Sequence, residues 1–337
     1  MENFGKELEN VLIEMGLYCV LKQTIDNEIT TKYEFELQNL KDFQKLTKAI
    51  KIMALCYHKD IKLAESEKYH FAIEIKKKEI LLNSTNYENE DKKGKALLGL
   101  DTDGNRVIFD IKKAIHTLIG GATGMGNTNI INNILYSLMK NDSNEDTTIY
   151  LIDIKKELSI WDNLPQIASK TAKNCSEALD TLRNITEIME KRFNKLSKQK
   201  EEDFPRIIVV IDELADLMLS GLKTYIESKI AHIAQIGRAV NISLIIATQS
   251  PIAKVCTNLI KANCPTVIAL KTVSIPTSRV ILDNKNAFEL SGVGECIIRN
   301  ADYPNEKKFN ALYLDKSEIL KFVKEKENEY IQQKKKK

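Results

Sequence analysis

The sequence predicts an α/β fold: a mostly parallel sheet, preceded by a smaller α+β domain. Three observations predict it. Five short runs rich in β-branched residues recur after residue 97, separated by helical stretches. One run leads into a glycine-rich loop, and another ends on two adjacent acids. The first 96 residues instead mix alternating segments with helical spacing.

The five runs are His116-Thr-Leu-Ile119, Thr148-Ile-Tyr-Leu-Ile152, Ile207-Ile-Val-Val-Ile211, Ser243-Leu-Ile-Ile246 and Thr266-Val-Ile-Ala-Leu270. Continuous β-branched runs with helices between them indicate strands buried on both faces of a parallel sheet. Upstream, Phe4, Leu8, Val11, Leu12 and Met15 share a helix face within residues 4–20, as do Phe43, Leu46, Ile50, Met53 and Ala54. Tyr33–Leu37 and Tyr69–Ile75 alternate as strands do. Residues 83–96 are polar and read as a linker or exposed loop. The expected domains are therefore 1–96, a small α+β unit; 97–317, the large α/β unit; and 318–337, a charged helix or tail ending in four lysines.

The bulk numbers exclude several classes. With 337 residues, 43% of them hydrophobic, the chain can bury a sizeable core. Its net charge is only +3, from 50 basic and 47 acidic residues, so binding to a polyanion would need locally concentrated charge. The six cysteines (Cys19, Cys56, Cys175, Cys256, Cys264, Cys296) form no C-x-x-C pair and have no histidine at zinc-ligand spacing. They read as buried free thiols in a reducing compartment. There is no run of 18 apolar residues, and Met1-Glu-Asn-Phe-Gly5 has no basic flank leading into an apolar core. A cytoplasmic location is expected.

The run at 116–119 enters Gly120-Gly-Ala-Thr-Gly-Met-Gly-Asn-Thr128, and a helix with Ile130, Ile131, Ile134, Leu135 and Leu138 on one side follows. A strand, a glycine-rich loop and a helix wrap backbone N–H groups around phosphate oxygens, and the helix N-terminus adds positive potential. The pattern G-x-x-x-x-G-K-[ST] fits at Gly121, Gly126 and Thr128, but position 127 is asparagine instead of lysine. Asn127 brings no charge to a phosphate, so hydrolysis should suffer more than binding. Lys112 or Lys113 is a candidate to replace the missing ammonium. The run at 207–211 ends at Asp212-Glu213, where a parallel sheet binds ligands; such acids hold Mg²⁺ and orient or deprotonate the attacking water. Gln249 caps the run at 243–246, in reach of a phosphate or water.

These blocks, in this order, resemble the FtsK/SpoIIIE family of DNA pumps. The matching stretches are His116–Gly126, Val210–Met218, Ile233–Ala239, Ile245–Pro251, Leu259–Asn263, Ser278–Asp283 and Leu290–Glu295. The resemblance implies a RecA-like P-loop ATPase core that uses ATP and Mg²⁺. It implies that residues 121–128 (Gly121, Ala122, Thr123, Gly124, Met125, Gly126, Asn127, Thr128) hold the phosphates, and that Thr128 and Asp212 hold the metal. Glu213 would be the catalytic base and Gln249 the sensor. Arg238 would be an arginine finger acting on a neighbouring subunit, with Arg279 a second basic candidate. The implied assembly is a homohexamer around double-stranded DNA, with Lys254 and Lys261 as phosphate contacts. The sequence departs from the family at Asn127 and at Ser250, where the family usually has arginine. An alternative remains open: a non-hydrolysing nucleotide- and DNA-binding ring subunit or adaptor. Conjugative coupling proteins and HerA-like helicases share the same core.

Overall fold

The computed structural model describes residues 2–66, 69–77, 82, 93–168, 171–198 and 203–336. Most of the expected linker, 83–92, lies outside them, as do the side chains of the lysine tail. The chain divides into two compact units: residues 1–81 with 100–105, and residues 82–99 with 106–337.

In the first unit, helix α1 (Glu2–Glu14) precedes strands β1 (Cys19–Asp26) and β2 (Thr30–Leu37). Helix α2 (Phe43–Tyr57) and strands β3 (Ile61–Ala64) and β4 (Phe71–Lys76) follow. The antiparallel sheet has the order β1-β2-β4-β3. Both helices bury most of the stripe their spacing predicts, with Leu8, Leu12, Leu46 and Met53 packed against Phe35, Phe71 and Ile73, but Phe43 at the start of α2 is exposed. The first helix is shorter than its 4–20 spacing suggested. Gly16 turns the chain at φ +76°, and the Leu17 N–H reaches back to the Leu12 carbonyl, a helix-stopping turn that suits glycine.

The second unit carries strands β5 (Lys95–Leu100), β6 (Arg106–Asp110) and β7 (His116–Gly120), then helix α3 (Asn127–Asn141) and β8 (Thr147–Ile152). Next come α4 (Cys175–Leu196), β9 (Arg206–Ile211), α5 (Leu214–Met218), α6 (Lys223–Ile236) and β10 (Ile242–Thr248). The chain closes with α7 (Asn258–Ala262), β11 (Thr266–Leu270), α8 (Ile275–Leu282), β12 (Glu295–Arg299), β13 (Lys307–Ala311) and α9 (Lys316–Lys336). Among the described residues the sheet runs β6-β5-β13-β12-β11-β7-β10-β9-β8. Its part from β11 to β8 is parallel, and β12 and β13 join it antiparallel, with β5 and β6 beyond them at one edge. The five runs read from sequence form that parallel part.

Alternation along β9 shows why such a run is apolar throughout. Ile207, Val209 and Ile211 pack with α4 and α6 on one face, and Ile208 and Val210 pack with α3 on the other. A strand covered on both faces has no solvent side to mark with polar residues. The six cysteines are free; four are buried, Cys175 is half-buried, and Cys56 is exposed, against the expectation that all would be buried.

Candidate functional site

The parallel strands deliver their last residues to one edge of the sheet. The glycine loop leaves β7 there, Asp153 follows β8, Asp212-Glu213 follows β9, and Gln249 follows β10. Gly126, at φ +113°, caps the N-terminus of α3 in a conformation that a side chain would strain. The amides of Thr123, Gly124, Gly126, Asn127 and Thr128 donate to no described residue. Unpaired N–H groups on a loop that opens a helix make an anion cradle.

Asn127 is only 4% exposed. Its amide nitrogen donates to the Gly121 carbonyl at 3.3 Å and the Thr248 carbonyl at 3.4 Å, tying the loop to the end of β10. Its Oδ1 is buried and has no partner among the described residues. Thr128 faces the acids: its Oγ1 donates to Glu157 Oε2 at 2.7 Å and lies 3.4 Å from Asp212 Oδ1.

Asp212 is buried, and its Oδ2 meets no partner among the described residues. Burial pushes its carboxyl up to about 7, and the charges of Glu157, Asp153 and Glu213 push the same way against Lys155. Asp153 is likewise buried with an unpartnered Oδ1, its other oxygen holding the Leu158 N–H. Orphaned carboxylate oxygens beside a threonine hydroxyl fit a hard cation such as Mg²⁺.

Glu213 is held from four sides. It accepts from the Thr248 hydroxyl at 2.7 Å, the Gln249 N–H at 3.1 Å, the Ala215 N–H at 3.1 Å and Lys155 Nζ at 3.1 Å. The reading from sequence missed Lys155 and the acids Asp153 and Glu157. Their signal was available: Asp153-Ile-Lys-Lys-Glu157 directly follows a buried strand, where a parallel sheet gathers its ligands.

The remaining candidates lie elsewhere. Arg238 sits before the first residue of β10, exposed and with no ion pair among the described residues. Seven residues of strand separate it from the loop edge, roughly 20 Å, so it does not serve its own site. Arg279 is exposed on α8, and Lys254 is exposed in the loop after β10. Lys261 is paired with Asp283 at 2.9 Å. Lys112 and Lys113 precede β7 and so lie at the opposite edge from the loop, and Lys113 is engaged by Asp302 at 2.7 Å. Neither stands in for the missing lysine, because the strand between them and the loop holds them apart.

A strand–loop–helix cradle at β7, with the acid-tipped β9 one strand away across β10, defines a P-loop ATPase-type α/β fold. Comparison with known proteins narrows this. The model of the FtsK/SpoIIIE family matches residues 80–204 and 197–253, so the chain belongs to that family. The DNA translocase FtsK of Campylobacter jejuni subsp. jejuni serotype O:23/36 (strain 81-176) is 32% identical over 94% of this chain and 37% of its own length. The DNA translocase SftA of Bacillus subtilis (strain 168) is 40% identical over 60% of this chain and 23% of its own. The chain thus spans well under half the length of these relatives. Among solved structures, the pCW3 conjugation coupling protein TcpA, in monomer form with ATPγS, has a TM-score of 0.66 at 23% identity, covering 94% of this chain and 99% of that one. The cytoplasmic domain of the type VII secretion ATPase EccC from Thermomonospora curvata has a TM-score of 0.59 at 22% identity, covering 73% and 32%. These two likenesses establish the shared fold. Among the described residues, no helix is long and apolar enough to cross a membrane.

Proposed function

We propose that this chain is the motor of an ATP-driven double-stranded DNA translocase that works as a homohexamer. The observation that carries the reading is the set of free amides at Thr123, Gly124, Gly126, Asn127 and Thr128 together with the orphaned Asp212 carboxylate oxygen. The amides would bind the phosphates, and Thr128 with Asp212 would hold Mg²⁺, which neutralises charge on the phosphates when bound. Glu213, backed by Lys155, would take a proton from the attacking water. To do so it must give up part of the hydrogen-bonding that now fills both its oxygens. Gln249, whose N–H already touches Glu213, would report whether the third phosphate is present.

Arg238, exposed and remote from its own cradle, suits a finger offered to the neighbouring subunit, and that role requires a ring. Arg279 is a second exposed cation for the same purpose. Lys254 is free to meet a DNA phosphate, whereas Lys261 would first have to leave Asp283.

One observation favours a second reading. Asn127 is spent on backbone carbonyls, so the cradle lacks its usual charge, which suits a ring subunit that keeps nucleotide as a structural ligand. The deciding experiment measures ATP hydrolysis with and without linear duplex DNA, for this chain and Asn127→Lys. DNA-stimulated turnover by this chain supports the motor. Duplex binding without turnover in either protein replaces it with the second reading.

A further inference from the structure

The cradle needs a cation that position 127 does not supply, and Lys155 and Lys271, which follow β8 and β11 at its edge of the sheet, are the candidates. Lys155 is claimed by the Glu213 carboxylate at 3.1 Å and also feels the charges of Asp216 and Asp212. Lys271 is differently placed. It follows β11, the strand paired with β7 on the side away from β10. Its carbonyl accepts the Ala122 N–H at 2.8 Å, which pins its backbone to the glycine loop. Its ammonium donates to the carbonyls of Leu290 at 2.7 Å and Ser291 at 3.3 Å. That carbonyl loop is itself tied to the tip of the glycine loop, where the Gly294 N–H donates to the Met125 carbonyl at 3.1 Å.

Among the described residues no carboxylate pairs with Lys271, and it is only partly buried. An ammonium carries three donors on a flexible stem, so neutral carbonyls can yield it to an anion at small cost. A carboxylate partner, as at Lys155, would have to be given up at greater cost.

We infer that Lys271 is a nucleotide-binding residue of this chain, supplying to the polyphosphate the positive charge that the glycine loop lost at Asn127. The asparagine then has a different task, bracing the loop against Thr248 from below. The two positions divide between them what a single lysine would do. This assignment rests on the nucleotide-binding reading above.

The test is calorimetric titration of the intact chain with ATP and Mg²⁺, run for wild type, Lys271→Met, Lys271→Arg, Lys155→Met and Asn127→Lys, with thermal melts as the fold control. Lys271→Met should weaken ATP by about tenfold or more, as expected for a charge-assisted contact, and melt as wild type does. Lys271→Arg should retain most of the affinity. Lys271→Met made on top of Asn127→Lys should cost clearly less than it does alone, because the charge is then supplied twice. Wild-type affinity in Lys271→Met overturns the assignment while leaving the nucleotide-binding reading intact. So does a loss confined to Lys155→Met, or equal costs of Lys271→Met in both backgrounds. Wild type that binds no nucleotide overturns both together. If Lys271→Met melts early, the comparison of Lys271→Arg with Lys271→Gln decides: equal affinities overturn the assignment.

Discussion

Strand β9 carries a buried aspartate problem at each end, and the two ends solve it in opposite ways. At the entry end, Asp142 faces Arg206 at 2.9 Å, with side chains only 1% and 8% exposed. Asp142 also takes the Gly94 N–H at 2.9 Å and the Thr147 hydroxyl at 2.7 Å, so both oxygens are filled by the protein. At the exit end, Asp212 is equally buried, yet one oxygen meets no partner among the described residues and three further acids crowd it. Burying a charge is tolerable when partners compensate it and costly when they do not. The entry end is therefore structural chemistry, complete in itself. The exit end is an uncompensated charge that a cation or a proton must complete, and such sites are where function concentrates.

The largest effect should separate catalysis from stability. Glu213→Gln at the exit end should lower ATP turnover by about a hundredfold to ten-thousandfold, the usual worth of a positioned base. Its melting temperature should fall only modestly, because the amide oxygen keeps the Thr248 hydroxyl and the Ala215 N–H, while the amide nitrogen cannot accept from the Gln249 N–H or Lys155. Steady-state hydrolysis alongside a thermal melt checks this, and unchanged turnover would remove Glu213 from the base role.

Asp142→Ala should do the reverse. It strands the buried Arg206 guanidinium, which costs on the order of 3–5 kcal/mol, seen as a lowered urea midpoint. Once the fold is held by low temperature, nucleotide affinity should be near normal. An Asp142→Ala protein of full stability would break the contrast between the two ends.

How much of this contrast the sequence carries follows from the same physics. The five central strands and the glycine loop were legible because burial on both faces demands uninterrupted apolar runs and phosphate cradles demand glycine. Asp212 and Glu213 were legible because they interrupt such a run at its end. Strand β1 was not: it is an edge strand whose pattern is largely exposed, so Val20, Lys22, Gln23 and Thr24 leave no clean alternation. Strands β5, β6, β12 and β13 were also passed over, being short and interrupted by Gly99, Arg106 or the charges around Cys296. Lys155 could have been found from its place just after a buried strand, but Lys271 carries no motif of its own. Its position beside the glycine loop comes from β11 lying next to β7, and that order is set by crossovers the sequence does not spell out.

Asp212→Asn sharpens the comparison at the exit end. The folded-state carboxyl stands at about 7, above the ordinary 3.8. Between those values the folded chain holds a proton that the unfolded chain has released, so stability falls as pH rises through that window. The substitution should stabilise the metal-free protein more at pH 8 than at pH 5, by on the order of 2–3 kcal/mol, because between pH 5 and about 7 the unfolded chain has released its proton while the folded carboxyl still holds one. Urea midpoints with chelator present at both pH values test the sign. Added Mg²⁺ should narrow the gap at pH 8 by stabilising wild type only.

The smallest expected effect comes from the entry end of β7, where His116 is buried. Its Nδ1 accepts the Leu244 N–H at 3.2 Å, and its Nε2 has no partner among the described residues. Burial, aided by the charge of Arg238, lowers it from 6.5 to about 4. Between those values the unfolded chain takes up a proton that the folded chain refuses, so stability is lost as pH falls from 6.5. This slope opposes that of Asp212 over nearly the same window. Wild type without metal should therefore change little between pH 6.5 and pH 5, the two contributions offsetting each other. In Asp212→Asn the histidine acts alone, and the same acidification should cost about 1.5 kcal/mol, read from the urea midpoint. A flat profile in that variant would mean that His116 gains a proton in the folded chain without penalty, with water at Nε2 supplying the partner that burial denies it.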